Sequence, residues 1–300
     1  MEKIIKETDK PWKYILSKYF KDFMELCWPN RAKEINWSKP PKFLDQELIK
    51  IAKDATTGNR AVDKLIEVTL IDGNRCCILI HLEVQATKQA NFSKRMFIYR
   101  YRLYDWSGGK PIASMAILLD NDVNWRPDNY SQSMWDSEIS VKFSIIKIID
   151  YHHKISELEQ STNPFAIIIL AQLIALKTQT VELKLASKLQ ITRKLYNSGF
   201  TQQAVIELFR FIDWVINLPK ELEEHYMKSV VELEQEDFEK NFMCPAEEIW
   251  LEQGIKQGVE QGIKQGITQI ANNMLSTGMA IQDIAKFTNL PINVIKNLIT

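Results

Sequence analysis

The chain has 300 residues, 45% of them apolar and 25% charged, and its 38 basic side chains balance 38 acidic ones, a composition that suits a soluble protein of one or two packed domains. Its longest apolar run, Phe165 to Leu176 with Gln172 inside it, is too short for the roughly 20 residues of a membrane span, so a buried helix is expected there and no membrane partner. No charged-then-apolar leader opens the chain, and Cys27, Cys76, Cys77 and Cys244 lack metal-ligand spacing; they read as small buried residues of a cytoplasmic protein.

In chain order, a helix is expected over residues 12–27, ending before Trp28-Pro29, then a short extended piece at 35–37 and a break at Pro40-Pro41. Residues 43–53 have helical spacing, with Leu44, Leu48 and Ile51 on one face. Two alternating strands follow. Their apolar positions are Val62, Ile66, Val68 and Leu70, then Cys76, Ile78, Ile80, Leu82 and Val84, joined by Asp72-Gly73-Asn74. Both apolar sets are even-numbered, and residues paired across a hairpin share a face, so a three-residue Asp-Gly-Asn loop pairing Ile71 with Arg75 is expected. That register sets Asp63 opposite Glu83, with Cβ atoms roughly 4.5–5.5 Å apart, where two carboxylates repel unless a proton or cation lies between them. A divalent ion is the natural occupant. Mg²⁺ accepts few protein carboxylates and completes its shell with water and phosphate oxygens, which points to a phosphodiester substrate.

A basic aromatic helix is expected at 91–106, stopping at Gly108-Gly109, then a central strand at 112–119 and another strand at 141–149. Beyond about 155 the spacing is helical, with Pro164 as a first-turn proline behind the cap Asn163, continuing to Leu218-Pro219. Residues 221–239 hold eight acids against one lysine, the pattern of a solvated helix face. Gly254, Gly258, Gly262 and Gly266 each follow a glutamine, a four-residue period that on a helix draws a stripe open to a partner backbone. Each glycine costs about 0.8–1.0 kcal/mol against alanine, so either a homodimer through 251–269 compensates or the segment is a linker. Residues 270–299 have the spacing of a small helical hairpin turning at Gly278, and Lys286 and Lys296 against Asp283 argue against a DNA reader.

Several separated blocks carry a resemblance: PKFLDQEL (41–48), AVDKLIEVTLIDG (61–73), ILIHLEVQ (78–85), FSKRMFIYRYRLYD (92–105), NPFAIIILAQLIALKT (163–178) and LFRFIDWVINLP (208–219). In this order they resemble the Rpn recombination-promoting nucleases and putative transposases of the PD-(D/E)XK nuclease superfamily. The resemblance implies an α/β fold: a restriction-endonuclease-like mixed sheet flanked by helices, followed by an all-α C-terminal region. The domains expected are a nuclease-like 1–155, a helical 156–245, the repeat segment 246–269 and a hairpin 270–300. It also implies a Mg²⁺- or Mn²⁺-dependent DNA endonuclease in which Asp63, Glu83 and the Val84 carbonyl hold the ion. Gln85 stands where most members place lysine; being neutral, it can orient the attacking water but neither take its proton nor offset charge.

Further candidates surround this centre. The superfamily often supplies a third carboxylate from the preceding helix, and Glu47 is preferred to Asp45. His81 shares the odd face with Glu83 and Gln85, where it either meets the water or is structural, while Lys64 lies on the even face. In the basic aromatic helix, Arg95, Arg102 and, less closely, Tyr99 share a side that, with Lys94, would hold a phosphate backbone; the competing reading is an amphipathic helix with solvated cations. The alternatives to an enzyme are a catalytically weak or inactive nuclease fold that binds DNA, and an oligomeric adaptor built on the glutamine-glycine tail.

Overall fold

The computed structural model describes residues 11–53, 62–83, 90–178, 180–236, 262–263, 265–296 and 298, with the backbone path alone at 50–53, 62–63, 77, 79–83, 234–236 and 296. The chain divides into two compact units, 1–236 and 237–300. The boundary expected near 155 falls inside the first.

That first unit begins with helix α1 (11–18), α2 (Phe20–Cys27) and the short α3 (Pro29–Ala32), which starts on a first-turn proline. Then come β1 (Lys42–Phe43), α4 (Asp45–Lys53), β2 (Val62–Thr69), β3 (Arg75–Glu83), α5 (Phe92–Trp106) and β4 (Ile112–Leu118). A two-stranded ribbon, β5 (Asn129–Met134) and β6 (Ser137–Lys142), precedes β7 (Ser144–Lys147). A 3₁₀ segment (Ile148–Lys154) leads into α6 (Ile155–Gln160), α7 (Pro164–Lys177), α8 (Val181–Tyr196), α9 (Gln202–Val215) and α10 (Lys220–Glu236).

The main sheet has the order β1-β2-β3-β4-β7; β1, β2 and β3 run antiparallel in succession, while β4 lies parallel to β3 and β7 parallel to β4. The architecture is thus mixed α/β with a helical C-terminal part. Parallel pairing requires crossovers, which α5 supplies between β3 and β4. Both sheet faces are covered: Leu65 on the odd face and Ile66 and Val68 on the even face of the same strand are all buried. Hence the expectation that the even-numbered positions alone form the core face is corrected. Leu65 joins Leu44, Leu48, Tyr99, Leu103 and Ile112 in one cluster, so α4 and α5 cover the odd face.

The helical part is anchored to the N-terminal helices. Trp12 is fully buried against Phe165 and Phe211, and its indole N–H donates to Gln172 Oε1 at 3.0 Å. Asn163 caps α7 as the sequence suggests, accepting from the Phe165 N–H at 2.8 Å. At the base of the helices, the buried Lys188 ammonium donates to Asp213 at 3.0 Å and Glu223 at 2.8 Å and sits 4.2 Å from the Tyr226 ring centre. Among the described residues, no helix is long and apolar enough to cross a membrane.

The second unit contains α11 (265–276), α12 (Ile281–Thr288) and α13 (Ile292–Lys296), closed around Ala271, Ile284 and Ile295. Gly278 turns the chain with φ +78°, the left-handed conformation for which glycine has no Cβ penalty. Of the glutamine-glycine segment, 262–263 and 265–269 are helical; the rest of 251–269 lies outside the described residues.

Candidate metal centre

The turn between β2 and β3 decides which residues meet. Leu70 N–H donates to Asn74 O at 2.7 Å and Gly73 N–H to Leu70 O at 3.0 Å, with Gly73 at φ +88°. This is a type I turn closed by a left-handed bulge residue, so the three-residue loop is Ile71-Asp72-Gly73, not Asp72-Gly73-Asn74. The register consequently pairs Thr69 with Arg75 and Asp63 with His81. The expected facing pair, Asp63 with Glu83, is corrected: Glu83 lies two positions further along β3. Strand alternation keeps both on one face. Diagonal positions of such a ladder are roughly 7–8 Å apart. Both sit at the end of the hairpin away from its turn, and Val84 and Gln85 lie outside the described residues.

Register extends that face across the sheet. His81 and Glu83 pair with Ala116 and Leu118, and these with Ile145 and Lys147. Phe92 and Met96 of α5 pack on Ala116 and Leu118. The helix therefore lies over the face that carries Asp63 and Glu83.

That placement changes the reading of the basic residues. Arg95 and Tyr99 are only 5% and 4% exposed, Arg102 is half-buried, and Lys94 is exposed. The side shared by Arg95, Tyr99 and Arg102 thus faces inward, because Phe92, Met96 and Leu103 recur beside it at helical spacing and draw it to the sheet. A solvent-facing phosphate surface made of Lys94, Arg95, Tyr99 and Arg102 together is not what forms. Phe97, about 200° from Arg95 around the helix, stacks on Tyr130 of β5 with centroids 4.9 Å apart. Tyr99, near Arg95, packs with Leu44 and Leu48 of α4 and Leu65 of β2. Arg95 accordingly lies on the hairpin side of α5, its guanidinium 5.6 Å from the Phe92 ring centre.

The two acids of α4 separate in role. Asp45 accepts from the buried Lys64 ammonium at 2.5 Å, which also donates to Ser17, and lies 3.4 Å from the Leu65 N–H. It holds α4 to β2. Glu47 is half-buried and forms no hydrogen bond or ion pair with the described residues. Lys147, missed in the sequence because it looks like an ordinary strand-end lysine, is fully buried and committed to Asp120 at 2.7 Å and the Trp125 carbonyl at 3.1 Å. Among the described side chains, which do not include those of Asp63, His81 and Glu83, no group of three or more His, Cys, Asp or Glu converges. Comparison with protein-family models, characterised proteins and solved structures finds no match for this chain.

Proposed function

We propose that the chain is a metal-dependent DNA endonuclease of the kind its sequence blocks resemble. The observation that carries the reading is the hairpin register, which sets Asp63 and Glu83 on one face at one end, beneath a helix that buries an arginine. The order of elements, helix, antiparallel hairpin, helix and parallel strand, supports the PD-(D/E)XK comparison. Two carboxylates of hard oxygen, with a third at Glu47, suit Mg²⁺ or Mn²⁺. Asp63, Glu83 and the Val84 carbonyl would hold the ion, which when bound polarises the scissile phosphate and makes water a better nucleophile.

The remaining chemistry falls to this chain's own side chains. Gln85 is neutral and orients water by hydrogen bonding. The positive charge that a lysine at 85 would provide comes from α5 instead: Arg95 lies on the hairpin side, and its planar guanidinium can grip two phosphate oxygens at once. Arg102, two turns along, extends that cationic edge. Burial strengthens such a contact, because the surroundings screen it less than water does.

The test uses purified full-length protein with supercoiled and linear DNA, with and without Mg²⁺. Nicking that requires Mg²⁺ and disappears in both Asp63→Ala and Glu83→Ala, each still folded by circular dichroism, is the expected result. Undiminished Mg²⁺-dependent cleavage by those two variants excludes the assignment.

A further inference from the structure

The β5–β6 ribbon carries a residue that folding alone does not explain. Met134 pairs with Ser137, so Trp135 and Asp136 form a two-residue loop at its tip. Trp135 is 92% exposed and has φ +52°. A left-handed backbone costs a residue with a Cβ about 1–2 kcal/mol, and this loop position ordinarily takes glycine. Among the described residues, the most exposed large aromatic is thus held in a conformation that favours the smallest residue. Strain retained at an exposed apolar group points to binding rather than to stability.

Where the ribbon is mounted suggests what binds. On one of its faces Tyr130 stacks on Phe97 of α5 at 4.9 Å and 15°, and Phe97 stacks on Tyr101 at 6.4 Å and 24°. Three near-parallel rings therefore run from the ribbon on to α5, ending in Tyr101, which is 62% exposed. The opposite face of the ribbon carries the hydroxyls of Ser131, Ser133 and Ser140 together with Glu138 and Lys142. Even with Met134 and Ile139, which are exposed on the same ribbon, the tip is far too small for a stable protein interface, which needs about 1,200 Å² or more. A flat ring at the tip, about 16 Å along the strand from a row of parallel rings, matches unpaired nucleobases spaced along an extended strand, each of which offers a face to stack on. The ribbon itself has Asp136 and Glu138 against Lys142, so attraction for phosphates must come from α5.

We infer that the ribbon is a base-stacking arm: Trp135 inserts between bases of a bound DNA strand whose neighbouring bases lie along Tyr101 and the rings beside it. The inference rests on the nuclease reading for its substrate and extends it to a second contact. Its natural place is on the strand leaving the cut site over α5, because the ribbon and Arg95 flank opposite sides of that helix.

The test is equilibrium binding of the full chain to a labelled single-stranded oligonucleotide and to a duplex with 2-aminopurine at an unpaired position, in EDTA so that no cleavage occurs. Trp135→Gly is expected to weaken binding roughly 5- to 100-fold and abolish the 2-aminopurine change, Trp135→Phe to keep most of both. Relief of strain should at the same time raise the melting temperature of Trp135→Gly by about 2–4 °C. Wild-type binding that Trp135→Gly leaves unchanged overturns the stacking arm and leaves the nuclease reading standing. A wild-type chain that binds neither DNA overturns the arm, while Mg²⁺-dependent cleavage of the same DNA decides the nuclease reading separately.

Discussion

α5 and α7 are both buried helices, yet they bury different things. In α7, nine consecutive residues from Phe165 to Leu173 are inside, and the one polar side chain among them, Gln172, accepts the Trp12 indole N–H. Every buried group there is apolar or satisfied, as a helix serving stability requires. In α5 the inward stripe is Phe92, Arg95, Met96, Tyr99 and Leu103. A leucine at 95 would bury without desolvating a charge; an arginine carries a penalty of several kcal/mol that only compensating contacts offset. Packing accounts for α7 completely, whereas the inward stripe of α5 carries a charge along with its apolar groups.

The comparison breaks most visibly at Arg95. Arg95→Met, which fills similar space without charge, is expected to lower the rate of the chemical step about 10²- to 10³-fold while the protein still folds. Single-turnover cleavage and thermal unfolding measured on the same sample check this, and an active Arg95→Met protein would return α5 to a purely structural role. Ile168→Ala in α7 should do the reverse, costing about 2–5 kcal/mol of stability through the cavity it leaves, with cleavage per folded molecule unchanged. Gln172→Leu should cost about 1–3 kcal/mol by stranding the Trp12 donor. Adding Trp12→Phe to it should recover part of that loss, a non-additivity that denaturant titration of both variants would reveal.

The same contrast shows how much could be read from the residues. The apolar run of α7 and its Asn163-Pro164 start were legible because core helices and their caps are local features. So were α4, α5, β4 and the three helices after 265. The hairpin was legible in outline, but its register slipped by two, since the turn type turned on a left-handed Gly73 that pattern alone placed one residue late. The β5–β6 ribbon was missed because its serines and glutamine show no apolar alternation, and the expected strand over 141–149 is really the end of β6, β7 and the start of a 3₁₀ segment. Burial of Arg95, Lys147 and Lys188 was invisible for a general reason: a charged letter signals surface unless its partner, distant in sequence, is known. For the candidate centre, the covering helix was readable, and the inward direction of the cations was not.

Buried charge that does serve stability gives the finest test. Glu207, on α9, accepts from Gln203 at 2.9 Å and from the hydroxyls of Tyr14 and Tyr19 at 3.0 Å each, tying the N-terminal helices to the helical part. Burial pushes its carboxyl up, but those donors and the nearby Lys18 outweigh it and leave the folded value below the ordinary 4.5. The sign follows: a carboxyl whose value is depressed on folding contributes fully above its unfolded value, and the contribution vanishes as pH falls through the folded one. Glu207→Gln keeps the size and can still accept hydrogen bonds while removing the titration. The variant should be less stable than wild type at neutral pH, and the gap should close as pH drops below about 4. Denaturant midpoints of the two proteins across that range measure it, and parallel curves with a constant gap would show that the tyrosine hydroxyls hold Glu207 by shape, with no preference for its charge.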